Sequence, residues 1–437
     1  MSIVFVHTLI LCITLCEFFA SLRLCARKIS ININSNMDNQ RKKMKNVLLI
    51  GIDGGATKVS GWPVRVDEAT GTFSLDNVSA SRSYIDIPGF LSDFSPVPIP
   101  DQLAQRDAGN IRPTAAEEQQ EGVYVEACAR VIEDLVEKNR GKKILLGIGM
   151  PGLKTADRRG IGVVANGPRM LHYADRLEAR LAPKGIELLT PVSHLGSDAD
   201  YCGIGENYAA DGLFREVNNA YYLGGGTGVA DAMKLNGELL PFDVIKDWLA
   251  KAWEMKSADG RTLERFTSVG GMQAVYAEIA GKKLSELNAQ NIYPLQIAEL
   301  AAKGEGAAQE MIALAVENLS RLFFERITSL YCGSLGLFQF VNPNRPQLSK
   351  QHPYLGNVFD RMIIGQRLGE LFESDYGKQV LRNPFIEKMR AMIANSDQLD
   401  AEAKAHYADL NQLIKTSQLR EAPALGAGID AYLTYAR

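Results

Sequence analysis

The sequence predicts an α/β protein made of two lobes. The chain has 437 residues, more than the roughly 100–200 residues of a usual single domain. A helical pattern at 117–139 lies between strand-type segments at 47–50 and 143–149, an order typical of α/β domains. An apolar run that ends in a glycine cluster occurs in each half of the chain. We therefore expect one lobe at 45–195, a second lobe at 196–437, and a cleft between them.

The first glycine turn follows the apolar run Val47–Ile50, which predicts a strand covered on both faces. Glycine lets the backbone come close to a ligand, and free N–H groups in such a turn can bind phosphate oxygens. Thr57 adds a hydroxyl, Lys58 a positive charge, and Asp53 a carboxylate suited to hydrated Mg²⁺. The alternative is a plain hairpin turn between two strands. The whole turn reads Asp53, Gly54, Gly55, Ala56, Thr57 and Lys58.

A second glycine turn, Gly224–Gly228, follows the apolar run Ala220–Leu223 in the other half of the chain. It includes Thr227, and the pair Asn236-Gly237 marks a tight turn after the next predicted strand. Two turns of this kind predict one nucleotide held between two lobes. The chain has no GxxxxGK[ST] P-loop, and neither turn has GxGxxG spacing, which argues against a Walker-type ATPase and a Rossmann dinucleotide site.

The charge and the cysteine pattern argue against further classes of protein. The net charge is -3, the isoelectric point is near 6.1, and no long run of Lys or Arg occurs, so nucleic acid is not expected as a partner. The six cysteines are scattered, without a C-x-x-C pair or a nearby His. This pattern is typical of reduced thiols in the cytosol and predicts neither a disulfide framework nor a zinc site.

The N-terminal extension, residues 1–44, allows two interpretations. Residues 3–22 are mostly apolar, match the ~20 residues that span a bilayer, and have a basic segment after them. They are either a membrane anchor or the product of a mis-called start, with translation beginning at Met37 or Met44. We slightly favour the second, because Met44 leads directly into the first strand. A secretory signal fits less well, since no basic region precedes the run. On either interpretation the lobes are cytoplasmic, and membrane contact is expected only through 3–22.

In the first lobe, loops, a helix and strands alternate. Residues 88–113 are rich in proline, and a loop of this length is either a lid or binding loop or a surface excursion. Thr114 is placed as the N-cap of the helix at 117–139. The next strand leads to Gly152, and small and amide residues that include Asn166 follow, a place where a substrate hydroxyl can bind.

The catalytic candidate is Asp198, which follows a glycine where a strand gives way to a helix. An acid held rigidly at such a point can accept the proton of a substrate hydroxyl as that hydroxyl attacks a γ-phosphate. The alternative, which we weigh equally, is that Asp198 only caps the helix.

These motifs, in this order, resemble those of the ROK family of sugar kinases. That family belongs to the actin-like superfamily of two-lobed ATPases with a ribonuclease H-like fold. The resemblance begins near Lys45, continues to the end of the chain, and implies an active site in the cleft between the lobes. The matching segments are Ile50–Lys58, Gly149–Gly152 with Asn166–Pro168, Ser197–Asp200, Leu223–Gly228 and Ala422–Gly428.

The resemblance implies phosphorylation of a hydroxyl on a sugar or sugar derivative, with ATP and Mg²⁺ as cofactors. It implies that Asp53 positions Mg²⁺, that Asp198 is the general base, and that Glu264 contacts the sugar. Gly365 lies in a segment that resembles the strand and turn beside adenosine. The implied phosphate-binding residues are Gly54, Gly55, Ala56, Thr57, Lys58, Gly225, Gly226, Thr227 and Gly228. The implied sugar-binding residues are Gly152, Asn166, Ser197, Asp198 and Glu264.

The chain departs from most ROK kinases where they carry a Glu-x-Gly-His element and a zinc-binding cysteine cluster. Residues 239–261 contain no His and no Cys, so zinc is not predicted. Asp243 or Asp247 either substitutes for the missing His or lies on a solvated helix face, which is the commoner arrangement for an acid.

Single positions also differ from the family pattern. Ser197 stands where the family usually has Asn. Asp231 replaces a glycine beside the second turn and is either a second acid near the metal or a surface charge. Gln366 replaces the second glycine of a Gly-Gly turn, which predicts an altered nucleotide pocket.

The second lobe is predicted to be mainly helical around its sheet. The apolar segment 335–341 is expected to be a buried strand or the end of a packed helix. The segment 374–413 is expected to be helical with a break at Pro384. The final helix, 423–437, is expected to pack back on the first lobe. Further helices are predicted at 263–280, 294–303 and 307–331.

Two functions from other classes stay open. A ROK-type repressor needs a helix-turn-helix domain before the first turn, and residues 1–44 are too few and too apolar for one, which leaves a non-catalytic sugar-binding protein. An activating ATPase of the BadF/BadG kind also begins with Gly-Ile-Asp-Gly-Gly, but it needs cysteines for an iron–sulfur cluster. A homodimer is compatible with the sequence.

Overall fold

The computed structural model describes residues 46–436, which contain two larger β-sheets with side chains packed against both faces of each. The predictions for residues 1–44, an anchor or a later start, lie outside the described residues. Every helix between residues 46 and 436 is too short or too polar to cross a lipid bilayer.

The first sheet has the strand order β3-β2-β1-β5-β8, with β4 also paired to β2. Strand β1 pairs antiparallel with β2 and parallel with β5. Leu48, Ile50 and Ile52 of β1 face one apolar cluster and Leu49 faces another, as expected for a strand covered on both sides. The strands are β1 (Val47–Gly54), β2 (Lys58–Asp67), β3 (Thr72–Leu75), β4 (Ala80–Ser83), β5 (Lys143–Gly149) and β8 (Leu195–Gly196).

The second sheet has the order β11-β10-β9-β14-β15, in which β9 pairs antiparallel with β10 and parallel with β14. Its strands are β9 (Ala220–Gly225), β10 (Val229–Leu235), β11 (Glu238–Leu240), β14 (Arg361–Gly365) and β15 (Ile414–Thr416). Short strands form two small pairs, β6 (Leu153–Lys154) with β7 (Ile161–Val163) and β12 (Met255–Lys256) with β13 (Gln339–Phe340).

The helix Ala115–Glu137 begins as its sequence predicts, whereas the segment 88–113, predicted to be a loop, contains the helix Ile99–Asp107. Thr114 caps α2 with a capping box, in which its hydroxyl accepts from Glu117 N–H and the Glu117 carboxylate accepts from Thr114 N–H. The GxGxxG stretch Gly147–Gly152 ends β5 and leads to β6 rather than to a helix, so it is not a dinucleotide fingerprint. The helices in this part are α1 (Ile99–Asp107), α2 (Ala115–Glu137), α3 (Tyr173–Leu181) and α4 (Asp198–Tyr208).

The helices after β9 surround the second sheet. They are α5 (Phe242–Ile245), α6 (Glu264–Thr267), α7 (Val269–Ile279), α8 (Leu284–Ala289), α9 (Pro294–Ala302), α10 (Gly306–Cys332), α11 (Gln366–Glu373), α12 (Asp375–Gly377), α13 (Asn383–Ala394), α14 (Ala401–His406), α15 (Leu410–Leu413) and α16 (Ala422–Ala436). The predicted helix at 263–280 is interrupted at Ser268, whose hydroxyl caps α7.

Two predictions for this region are wrong. The segment 335–341 is not the end of a helix, because α10 ends at Cys332 and Gly333 follows with a φ of 91°, and its one strand, β13, is a pair of an exposed and a half-buried residue rather than a buried strand. Its apolar side chains are half-buried and line a cavity of about 330 Å³. Pro384 does not break the helix either. The π-helical turn Lys378–Arg382 runs directly into α13 with helical dihedral angles, so the chain stays helical across Pro384 and only the hydrogen-bond pattern of the helix changes there.

Helices α4 and α16 pack against each other and join the two sheets. α16 also packs on β1 and β5, whereas α4 packs on β10. Glycines permit the close approach: a β-carbon at Gly51 or at Gly147 would lie 1.9 Å from a carbonyl oxygen of α16. A β-carbon at Gly426 would lie 1.9 Å from the carbonyl oxygen of Tyr201. The start of α4, where Asp198 lies, is therefore held between both halves of the structure.

Candidate active site

Each predicted glycine turn connects two antiparallel strands. The first glycine loop, residues 53–58, joins β1 to β2, and the second glycine loop, residues 224–228, joins β9 to β10. The first loop is therefore a hairpin turn between two strands, as the alternative interpretation predicts. A hairpin turn can also bind an anion if its carbonyl groups turn away from the ligand and its N–H groups are free, so the bonds of each loop decide the question.

In the first glycine loop the carbonyl groups are held by tyrosines. Gly55 N–H donates to the carbonyl oxygen of Lys58 at 2.9 Å and closes the turn. The carbonyl oxygen of Gly55 accepts from the Tyr84 hydroxyl at 3.2 Å, and that of Ala56 accepts from the Tyr124 hydroxyl at 2.9 Å. The two rings stack with their centroids 3.6 Å apart. The N–H groups of Ala56 and of the next residue donate to no acceptor in residues 46–436.

In the second glycine loop the carbonyl groups are held by the start of α7. Gly226 N–H donates to the carbonyl oxygen of Gly228 at 2.9 Å. The carbonyl oxygen of Gly226 accepts from Gly270 N–H at 3.1 Å, and that of Thr227 accepts from the Ser268 hydroxyl at 3.3 Å. The N–H groups of Thr227 and Gly228 have no acceptor in the described part of the chain. Both loops thus present two adjacent free N–H groups, the arrangement that an anion requires.

Asp53 is the second-last residue of β1, at the entrance to the first loop. Burial, together with the charges of Asp198 and Glu421, raises its pKa to about 7, and Lys58 lowers it. A bound cation would stabilise the ionised carboxylate, so the site fits Mg²⁺. In residues 46–436 no three His, Cys, Asp or Glu side chains are grouped to ligate a metal.

Asp198 is the first residue of α4, and Ser197 occupies the N-cap position. Asp198 is thus not the N-cap residue, but the Ser197 side chain makes no cap bond, and the Asp198 carboxylate accepts an N–H of the first turn, as the capping interpretation expects. Its Oδ1 accepts from Ala199 N–H at 3.0 Å, and its other oxygen has no donor among the described residues. Asp198 lies close enough to Asp53 and to Glu264 to raise the pKa of both. It is thus near both glycine loops.

Glu264 lies against the second glycine loop. Its Oε2 accepts from Val229 N–H at 3.1 Å, and a β-carbon on Gly228 would lie 2.9 Å from the same oxygen. Burial raises the pKa of Glu264, the Val229 N–H lowers it, and the charges of Asp198 and Asp231 raise it further. The other carboxylate oxygen is available to a ligand.

Both interpretations of Asp231 are wrong. Its side chain is buried, and its oxygens accept from the Tyr221 hydroxyl at 2.6 Å, from Ala252 N–H at 2.8 Å and from Arg326 at 3.1 Å. Arg326 is also buried and pairs with Glu325 at 2.9 Å. Asp231 is therefore a structural acid behind the second loop, not a metal ligand or a surface charge. Asp243 and Asp247 are exposed, as the solvated-face interpretation predicts.

The predicted hydroxyl-binding turn contains a cation that the sequence analysis missed. Lys154 donates to the carbonyl oxygens of Met150 and Gly152 at 2.7 and 2.8 Å. Burial lowers its pKa to about 8, although the charges of Asp198 and Asp200 raise it. No motif marks this lysine. Its position in the turn beside Asp198 depends on the β6–β7 pairing.

Asn166 and Gly365 lie on opposite sides of the site. Asn166 is exposed, makes no hydrogen bond in the described structure, and precedes Gly167, where a β-carbon would be 3.3 Å from the Tyr124 hydroxyl. It therefore belongs to the side of the first loop. Gly365 pairs with Gly224 across β14 and β9, which places it beside the second loop.

Comparison with known proteins finds similar solved structures but no similar sequence family. No protein-family model matches the sequence, and no curated protein matches it. A ROK family glucokinase from Streptomyces griseus, in complex with glucose and AMPPNP, is similar over 88% of this chain and 99% of that chain, with a TM-score of 0.52 at 16% identity. A ROK hexokinase from Thermus thermophilus matches over 89% of this chain and 98% of that chain, with a TM-score of 0.48 at 14% identity.

A ROK family transcriptional regulator, described as a homolog of the E. coli MLC protein, is similar over 89% of this chain and 79% of its own length, with a TM-score of 0.48 at 12% identity. The likeness to the Streptomyces enzyme establishes the fold. The chain has the two-lobed α/β fold of the ROK sugar kinases, as the resemblance in its motifs predicts.

Proposed function

We propose that this protein transfers the γ-phosphoryl group of ATP to a hydroxyl group of a sugar or sugar derivative. The observation that carries the proposal is the pair of glycine loops, each with its carbonyl groups tied back and two N–H groups free. Two such loops, with a carboxylate near both, suit the phosphates of one nucleotide. The structure that shares the fold with this chain contains glucose and AMPPNP, which supports a sugar as acceptor and ATP as donor.

Each part of the site then has a role. The N–H groups of the first loop and of the second loop hold phosphate oxygens, and Lys58 adds a positive charge beside Asp53. Asp53 is the side chain that would hold Mg²⁺, which neutralises phosphate charge when it is bound with ATP. The sugar is held by the turn at Gly152, by Asn166 and by the free oxygen of Glu264. ATP as donor agrees with a cytoplasmic location, which we propose as well.

The transfer itself uses Asp198. The free carboxylate oxygen of Asp198 accepts the proton of the sugar hydroxyl while the oxygen of that hydroxyl forms a bond to the γ-phosphorus. The bond between the γ-phosphorus and the bridging oxygen breaks, ADP leaves with the electron pair, and Asp198 later releases the proton to water. Closure of the two lobes around the substrates would exclude water from this step.

The test is ADP release with a panel of sugars and amino sugars, measured for the wild type and for Asp198→Asn. A general base contributes about 10²–10⁴ in rate, so we expect kcat to fall about 10³-fold in the variant while the Kd of AMPPNP changes less than about threefold. Asp200→Asn is the matched control, because it makes the same change two residues later on the same helix. We expect it to keep its activity within about fivefold of the wild type.

Two results would contradict the proposal. Asp198→Asn with most of its activity would remove Asp198 from the mechanism. A wild type that binds a sugar but releases no ADP would instead establish a non-catalytic sugar-binding protein. The iron–sulfur alternative is separated by an iron assay with an optical spectrum of the purified protein; of the cysteines in residues 46–436, Cys128 and Cys202 are buried and Cys332 is half-buried.

A further inference from the structure

Gln366 has an unusual backbone conformation beside the second glycine loop. It is the first residue of α11 and directly follows Gly365, whose strand neighbour is Gly224. Its φ is 56°, in the left-handed region that L-residues other than Gly, Asn and Asp adopt at a cost. Such conformations persist where the surrounding structure or a function requires them.

The side chain of Gln366 lies across the backbone of the second glycine loop. A β-carbon on Gly224 would be 3.1 Å from the Gln366 Cδ, and one on Gly226 would be 2.9 Å from its Oε1. Neither glycine has a positive φ. At Gly224 the Tyr222 ring lies closer still, at 2.9 Å, whereas at Gly226 the nearest group is the Gln366 amide, so the amide lies directly against the backbone of Gly226.

The Gln366 amide is only partly used within the protein. Its Nε2 donates to the thiol of Cys202 at 3.6 Å, a weak hydrogen bond, and its Oε1 has no donor in the described part of the chain. The side chain is half-buried. An apolar side chain would fill this space without leaving polar groups unpaired, and unpaired polar groups carry a cost. The amide and its strained backbone are thus better explained by a ligand than by packing.

We propose that Gln366 binds the phosphoryl donor. Its free N–H and its Oε1 contact the nucleoside triphosphate that the second glycine loop holds. The proposal rests on the proposed kinase function and extends it to a residue that the ROK pattern does not contain. Because the contact is to the donor, a change at Gln366 should alter nucleotide affinity and leave sugar affinity unchanged.

The experiment compares Gln366→Gly, Gln366→Glu and a matched control. We measure the Kd of AMPPNP and, separately, the Kd of the sugar that serves as acceptor. Loss of the amide contacts in Gln366→Gly should weaken AMPPNP about tenfold, and Gln366→Glu should weaken it about a hundredfold, because a carboxylate would face the phosphates. The Tm of Gln366→Gly should not fall, because glycine removes the backbone strain.

The control is Asn291→Gly. Asn291 is an exposed residue after α8 with a φ of 55°, so the substitution places glycine at another left-handed position away from the site, with less backbone relief than at Gln366 because Asn adopts this region readily. We expect no change in AMPPNP affinity for this variant. Binding of inorganic tripolyphosphate then locates the contact. If Gln366→Gly binds tripolyphosphate more weakly than the wild type does, the contact is to the phosphates. If it binds tripolyphosphate equally well but AMPPNP more weakly, the contact is to the nucleoside.

Other results would overturn the inference. Unchanged AMPPNP affinity in Gln366→Gly would show that the amide does not contact the donor. Weaker binding of both AMPPNP and the sugar, with a lower Tm, would show a structural role. Failure of the wild type to bind AMPPNP at all would instead overturn the proposed function, and the inference with it.

Discussion

The first and second glycine loops expose backbone N–H groups in the same way but are held by different parts of the protein. In the first loop the restraints are the side-chain hydroxyls of Tyr84 and Tyr124. In the second loop they are the backbone of α7, through Gly270, and the hydroxyl of its capping residue Ser268. The comparison shows that the turned-back carbonyl groups are the shared requirement, since the partners that enforce them are unrelated.

The loops also differ in how closely single positions are packed. A β-carbon on Gly55 would have only the Lys58 carbonyl oxygen nearby, at 3.4 Å. A β-carbon on Gly225 would lie 2.6 Å from the carbonyl oxygen of Thr267 and 2.7 Å from Leu368 Cβ. The first loop is therefore open at Gly55, although it is packed against Met150 at Gly54, whereas the second loop is enclosed at Gly225 by α6 and α11 and at Gly226 by the side chain of Gln366.

The largest effect should come from adding a methyl group to the enclosed loop. Gly225→Ala must displace the end of β9 or the start of α11, so we expect about 1–3 kcal/mol of lost stability and about a hundredfold weaker AMPPNP binding. Gly55→Ala has room and should change the Kd of AMPPNP less than about twofold. Urea unfolding and AMPPNP titration of both variants check this contrast. Equal effects of the two substitutions would show that the loops do not differ in packing.

The next-largest effect should come from removing a hydroxyl group that holds a carbonyl group of one of the loops. Tyr124→Phe removes the hydroxyl that holds Ala56, so the first loop should lose its orientation, with KM for ATP about fivefold higher and a stability loss of about 1 kcal/mol. Ser268→Ala removes the cap of α7 and should cost about 1 kcal/mol of stability, but the Gly270 N–H still holds the second loop and KM should stay within about twofold. Steady-state kinetics with ATP as the varied substrate, together with urea unfolding, measures both quantities. A higher KM in Ser268→Ala than in Tyr124→Phe would contradict the assigned restraints.

The contrast also shows what can be predicted from the sequence. The glycine loops, the first strand and the Thr114 cap follow from local signals, because a turn or a cap depends on a few neighbouring residues. The hydrogen bonds that hold the carbonyl groups of the loops do not follow from local signals. Tyr84 and Tyr124 lie 29 and 68 residues from the carbonyl groups that they hold, and no local pattern connects such pairs.

Asp231 and Lys154 illustrate the same limit for charged residues. The exposure of a side chain on a strand depends on what covers that face, and α10 supplies the buried Arg326 that pairs with Asp231. A local pattern therefore favours a surface charge where the fold contains a buried ion pair. Lys154 is similar, since its carbonyl partners lie in a turn whose shape depends on the pairing of β6 with β7.

The last contrast, between the acids of the two loops, leaves the shape of the loops unchanged and is measured as a dependence of stability on pH. Asp53 is the second-last residue of the strand that leads into the first loop, and burial raises its pKa from 3.8 to about 7. In the absence of Mg²⁺ and nucleotide the folded protein therefore binds this proton more tightly than the unfolded chain, so the wild type loses stability as the pH rises from 3.8 to about 7 and no more above it. Asn cannot ionise, and Asp53→Asn should avoid this loss.

The stability advantage of Asp53→Asn over the wild type should thus grow between pH 5 and pH 8, by about 2 kcal/mol once partial exposure of the carboxylate is allowed for. Urea unfolding at both pH values measures it, with exposed Asp93→Asn as the control. Glu264→Gln should gain less, because its carboxylate accepts the Val229 N–H of the second loop and the substitution weakens that bond. An advantage that is equal at the two pH values would mean that Asp53 is ionised throughout. The first loop would then need no cation to hold its acid in the charged form.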